Sequence, residues 1–119
     1  SEKFFITGSV VEGRHIGSII GFPTANLEVS VDKYLPTGVF VGETIINSVL
    51  YACIVNIGAK PTYDIAIQTV EAHIIGFTGN LYGKDMKISL NKYIRPIIKF
   101  SNGAELSAQL RKDVLEAKL

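Results

Sequence analysis

The chain has 119 residues, 47 % of them hydrophobic, a formal charge of +1 and a single cysteine, Cys53. That is enough apolar material for one core and one domain, residues 1–119, and too little positive charge for a protein whose main work is to wrap a nucleic-acid backbone. One thiol excludes a disulfide framework and a cysteine-based metal site, no stretch approaches 18 unbroken apolar residues, and the start "SEKFF" lacks the basic and apolar regions of a secretion signal.

These features read as a soluble cytoplasmic protein with no membrane and no nucleic-acid partner. The first residue is serine, and the expectation is a domain cut from a longer chain. Eleven glycines and only 19 % charged residues, with many Val, Ile, Phe and Tyr, lean towards strands joined by tight turns.

In chain order, Phe4 to Val11 sets Phe4, Ile6, Gly8 and Val10 on one side and Thr7 and Ser9 on the other, the period of a half-buried strand. Gly13 to Gly38 reads as a long irregular connection. Gly38 to Ile46 and Val49 to Gly58 flank Asn47-Ser48 as a hairpin whose second arm is apolar enough to be central. Gly58 to Ala66 is a second irregular stretch, and connections this long are often functional. Gln68 to Phe77 alternates, with Val70, Ala72 and Ile74 facing one way and Glu71, His73 and Ile75 the other. After the turn signal Gly79-Asn80, Met86 to Ile94 turns Met86, Ile88 and Leu90 inward. Only the end is helical: Asn102 caps, Glu105 follows three residues later, and Leu106, Leu110 and Val114 form a stripe to pack on the sheet. Five or six strands, one terminal helix and no βαβ alternation favour a closed antiparallel barrel.

The stretch "GRHIGSIIGFPTAN" spaces Gly13, Gly17 and Gly21 four apart, matching neither GxxxxGK[ST] nor GxGxxG. It is either a connection that bends or a nest of backbone N–H groups for phosphate oxygens. Pro23 fixes the approach to Thr24 and Asn26, which, if extended, point to one side. A hydroxyl and an amide carbonyl are hard oxygen ligands suited to Mg²⁺ shared with substrate phosphates, and they are equally ordinary turn residues. Glu71 is a candidate general base or one charge on a solvated face. His73 lies two residues on, but His15 is the only other histidine, which argues against zinc. Thr62 and Arg95 are further polar candidates. Arg95 ends a strand and, before Pro96, reads as a loop residue that either clamps a ligand or covers apolar surface.

The ordered blocks "GFPTANL", "LPTGVFVGE", "NIGAKPT", "VEAHIIGF", "GNLYGK" and "IRPIIKF" resemble the riboflavin kinase family, in particular the kinase module of bacterial bifunctional riboflavin kinase/FAD synthetases. The resemblance covers nearly the whole chain. It implies a six-stranded antiparallel Greek-key barrel with a C-terminal helix, and ATP-dependent phosphorylation of the ribityl 5′-hydroxyl of riboflavin to FMN. By position it makes Thr24 and Asn26 the Mg²⁺ ligands beside the ATP phosphates, and Pro23 part of that signature. It makes Gly13, Gly17 and Gly21 a flap over the phosphates, Glu71 the catalytic base, and the segment after Arg95 a mobile loop on the flavin side.

One position departs from the family pattern. Ile97 stands where an acidic residue is common, while Arg95, Lys99 and Phe100 are kept. That departure motivates the alternative of a flavin- or nucleotide-binding module without catalysis. A single-stranded nucleic-acid barrel rests on fold analogy alone. The family's bacterial members join the kinase to an FMN adenylyltransferase domain carrying H-x-G-H, which His15 and His73 cannot form. FAD synthesis is therefore not expected of this chain, and such a domain would precede Ser1.

Overall fold

Alternation along each strand decides which side chains meet inside. A computed structural model describes residues 4–11, 24–29, 35–61 and 66–117. The elements are β1 (Phe4–Val11), β2 (Thr24–Val29), β3 (Gly38–Ile46), β4 (Val49–Pro61), β5 (Ala66–Ile74), β6 (Asp85–Arg95) and α1 (Gly103–Ala117). The six strands close into a barrel in the order β1-β2-β5-β4-β3-β6, and every neighbouring pair is antiparallel. Within that order β6-β3-β4-β5 is a Greek key: three successive strands, with the fourth returning beside the first. Closure leaves no unpaired edge.

Ile6, Val10, Ala25, Leu27, Cys53, Val55, Ile57, Val70, Ala72, Ile74, Met86 and Ile88 belong to one buried cluster that fills the barrel. A second, smaller cluster lies outside the wall, where Leu110 of α1 packs on Val39, Val41 and Ile54. Leu110 is fully buried, and such burial contributes on the order of 2 kcal/mol. This explains why β3 and β4 read as apolar on both faces: the barrel covers one and the helix the other.

The helix begins as its sequence suggests. The Glu105 N–H donates to Asn102 Oδ1 at 2.9 Å, and Glu105 Oε2 accepts from the Ser101 N–H at 3.2 Å, so the reciprocal half of the capping box lands one residue before the cap. The Asn47-Ser48 turn has both residues at positive φ, 50° and 67°, as a two-residue hairpin matched to strand twist requires.

The structure corrects two readings of irregular chain. Thr24–Val29 is strand β2, and β4 continues to Pro61. In "TANLEV" Ala25 and Leu27 are buried in the core and Val29 packs against it, so the apolar signal is three alternating residues and Thr24, Asn26 and Glu28 fill the other face. Gly13, His15, Gly17, Gly21, Pro23 and Thr62 lie outside the described residues.

Cys53 is fully buried in the barrel, and burial, with a smaller contribution from the Glu43 carboxylate, pushes its thiol up to about 12. A thiol-specific reagent near pH 8 is therefore expected to label Cys53 only through unfolding, orders of magnitude more slowly than in denaturant. Rapid labelling of the native protein would contradict this placement.

Candidate active site

The register of β5 against its two neighbours assembles the polar residues. Asn26 of β2 and Asn56 of β4 both pair with Glu71, and Thr24 and Ile54 both pair with His73. Because Val70, Ala72, Ala25 and Val55 point inward, Glu71, His73, Thr24, Asn26 and Asn56 share the outer face. Two rows result, Asn26–Glu71–Asn56 and Thr24–His73–Ile54, about 7 Å apart along the strands.

The second row is tied to the first by the imidazole. His73 Nδ1 lies 3.1 Å from Thr24 Oγ1 and Nε2 lies 3.2 Å from Asn56 Nδ2, with Glu71 Oε1 3.6 Å from Nε2. His73 is 1 % exposed, whereas the Glu71 side chain is 40 % exposed and open to a ligand.

Beside these rows runs a groove of about 500 Å³, within the usual range for small-molecule sites. Asn56, Glu71, His73 and Arg95 form its polar side, Gly58, Ala59 and Thr69 its floor, and Ile97, Ile98, Phe100 and Leu106 its apolar side. A Cβ on Gly58 would stand 3.0 Å from Thr69 Oγ1 and 3.4 Å from Ile97 Cδ1. A side chain there would crowd the groove, so glycine keeps it open.

Arg95 closes β6 rather than sitting in a loop. Its Nε and Nη2 donate to the two carboxylate oxygens of Asp113 on α1 at 3.0 and 2.7 Å, and Nη1 donates to the Pro96 carbonyl at 3.2 Å. Gln109 Nε2 also donates to Asp113 Oδ1, at 3.1 Å. Asp113 is only 3 % exposed, so this fork supplies the bonds a buried carboxylate requires. It joins the barrel wall to α1 and thereby sets the apolar side of the groove.

A second groove, of about 400 Å³, lies on the β1–β6–β3 side and includes Phe5, Glu43, Ile45, Leu50 and Lys87. There Asn91 donates to Glu43 at 2.6 Å, and Lys87 sits 4.6 Å from the centre of the Phe5 ring. It lacks the grouped hydroxyl, amide, imidazole and carboxylate of the first groove.

Of the residues singled out in the sequence, the structure brings together Thr24, Asn26, Glu71 and His73, with Arg95 at the groove edge. Asn56 and Asp113 were not anticipated. Asn56 is the single polar residue in the run "ACIVNIG", a break in an apolar strand that marks a place where the outer face is not covered.

Fold and site together describe a small β-barrel with a carboxylate, an imidazole and two amides beside an apolar-walled groove. The family model described as Flavokinase, riboflavin kinase, matches residues 1–119, and the chain belongs to that family. It is 37 % identical over 121 residues to the bifunctional riboflavin kinase/FMN adenylyltransferase of Bacillus subtilis, covering 98 % of this chain and 38 % of that one. The crystal structure of riboflavin kinase from Trypanosoma brucei superposes with a TM-score of 0.69 at 25 % identity, over 99 % of this chain and 79 % of that one. A Streptococcus pneumoniae structure described as a macrolide-efflux protein superposes with a TM-score of 0.88 at 30 % identity, over 98 % of this chain and 38 % of that one. Among the described residues no helix is long and apolar enough to cross a membrane. The chain spans less than two fifths of the length of the Bacillus subtilis relative.

Burial pushes the His73 imidazole down to about 4; the Asp113 carboxylate opposes that shift and the Arg95 guanidinium adds to it. Glu71 is the other charged group facing the ring. The unfolded chain therefore binds a proton at this histidine below about pH 6.5 that the folded protein refuses until about pH 4. Stability from this group is complete above about pH 6.5 and falls through that window, by about 3 kcal/mol in total. Urea unfolding of the ligand-free protein at about pH 7 and about pH 4.5 should show this loss, and His73→Asn should remove most of it. The same pH slope in the variant would contradict the assignment.

Proposed function

We propose that the chain transfers the γ-phosphoryl group of ATP to the ribityl 5′-hydroxyl of riboflavin, giving FMN and ADP. The observation that carries this reading is the Asn26–Glu71–Asn56 row, a half-exposed carboxylate at the polar side of an apolar-walled groove. A planar, largely apolar ring suits Ile97, Ile98 and Phe100, and the ribityl chain would then extend towards Glu71. Glu71 accepts the 5′-hydroxyl proton as that oxygen bonds to phosphorus and the bond from phosphorus to the ADP oxygen breaks. Such transfer needs little covalent work from the protein beyond alignment, charge compensation and a proton acceptor.

Thr24 and Asn26 are the proposed ligands for Mg²⁺ that arrives with the nucleotide. Their hydroxyl and amide oxygens are the hard donors this cation prefers, and two protein ligands leave the rest of its shell to phosphates and water. When bound, Mg²⁺ offsets the charge of the β- and γ-phosphate oxygens. We assign Gly13, Gly17 and Gly21 to the phosphate cover and Pro23 to the stiff approach to Thr24 and Asn26 beside the ATP phosphates, on the strength of the sequence pattern, and Arg95 to the flavin side through its hold on the groove wall. The bifunctional relative and its extra length support a kinase unit that works beside an FMN adenylyltransferase unit, and the single buried thiol supports a cytoplasmic setting.

Purified protein incubated with riboflavin, ATP and Mg²⁺ should produce FMN, read by chromatography. Glu71→Gln should lower kcat by roughly 10²–10⁴-fold, the usual contribution of a general base, with little change in KM for ATP. An unchanged kcat would remove Glu71 from the chemistry. Tight riboflavin binding with no FMN under any divalent cation would favour the non-catalytic binding module that Ile97 motivates.

A further inference from the structure

A neutral imidazole has one donor nitrogen and one acceptor nitrogen. His73 uses both on side chains of the adjacent strands: Nδ1 meets Thr24 Oγ1 at 3.1 Å and Nε2 meets Asn56 Nδ2 at 3.2 Å. Asn56 presents its amide nitrogen, which only donates, so Nε2 is the acceptor. The ring proton then sits on Nδ1 and is donated to Thr24 Oγ1. A threonine hydroxyl that accepts on one lone pair has its second lone pair and its hydrogen fixed in direction. The imidazole is itself immobilised, being 1 % exposed on the outer face of β5.

We propose that His73 is a positioning residue for phosphoryl transfer: as the Nδ1–H tautomer it holds the Thr24 hydroxyl towards the nucleotide phosphates and their cation, and holds Asn56 beside Glu71, without touching substrate. This rests on the kinase reading above. It gives a purpose to a buried histidine that transfer itself does not use, and it links the row containing Thr24 to the row containing the base. Through Thr24 the effect of the ring reaches the nucleotide, and that arm is the one read by nucleotide binding.

The test has two arms, neither of which requires turnover. Long-range ¹H–¹⁵N correlation spectra of the ligand-free, ¹⁵N-histidine-labelled protein at neutral pH should show His73 protonated on Nδ1; protonation on Nε2 would overturn the proposal. Calorimetric titration with Mg–ADP should show about a tenfold loss of affinity in His73→Leu, the size expected for one hydrogen bond. His73→Asn, which restores a donor, should recover most of the loss. Thr24→Val and the Thr24→Val/His73→Leu double variant should bind Mg–ADP equally, since the interaction is already lost in the single variant. A further loss in the double variant, or a loss confined to riboflavin, would overturn the proposal. If His73→Leu fails to fold by circular dichroism, His73→Asn and the tautomer measurement still decide. Wild-type protein that binds Mg–ADP with the Nδ1–H tautomer but makes no FMN would sink the kinase reading while upholding the His73 geometry.

Discussion

Strand β5 is hydrogen-bonded to β2 on one side and β4 on the other, and the phase of those two ladders decides everything that follows. Side chains alternate along a strand, so a slip of one residue would send Glu71 and His73 into the barrel and expose Val70, Ala72 and Ile74. The slip is prevented by the core: all three of these inward residues are at most 2 % exposed, and turning them outward would forfeit several kcal/mol of apolar burial. The hydrophobic interior therefore fixes the position of polar groups it never touches. Thr24, Asn26, Asn56, Glu71 and His73 meet on one patch because Ala25, Val55, Val70 and Ala72 meet behind it.

The second constraint is on the outside. The Arg95–Asp113 fork and the packing of Leu110 on Val39, Val41 and Ile54 fasten α1 to the wall. A buried ion pair of this kind contributes little net stability against an apolar equivalent, whereas losing one partner costs on the order of 3–5 kcal/mol because the other charge stays buried. Its structural consequence is placement: residues 96–100 leave β6 immediately after Arg95, and Leu106 begins the helix stripe, so one ion pair sets two parts of the apolar side of the groove. Burial lowers the His73 pKa against the pull of the Asp113 carboxylate.

Much of this was legible in the sequence, and the gaps have physical causes. The two-residue period located β1, β5 and β6, the apolar runs flanking Asn47-Ser48 located β3 and β4, and the cap Asn102 with the Leu106–Leu110 stripe located the helix. Strand β2 escaped because it is only six residues long, its inward Ala25, Leu27 and Val29 beginning with a small alanine, while the outward Thr24 and Asn26 look like turn residues. These two were nevertheless singled out through their spacing. Glu71 stood out as a carboxylate in an apolar strand. Asn56 did not, since β4 is apolar on both faces and a lone amide there reads as a break rather than a site. The role of Arg95 depended on Asp113, 18 residues away on a helix whose outward stripe gives no sign of a buried carboxylate. His73 was visible, but its partners lie on two other strands, and no spacing along the chain encodes them.

The central claim is that the barrel's internal register places the chemistry on the outer face of β2, β5 and β4. The most direct measurement is a titration of the ¹⁵N-labelled protein with Mg–ADP and riboflavin, followed by the backbone amide resonances. The account predicts that the largest shifts fall on Thr24, Asn26, Asn56, Glu71 and His73 and that Phe5, Ile45 and Lys87, on β1, β3 and β6, stay still. Shifts centred on Phe5, Ile45 and Lys87, with the β2–β5–β4 face unmoved, would contradict it.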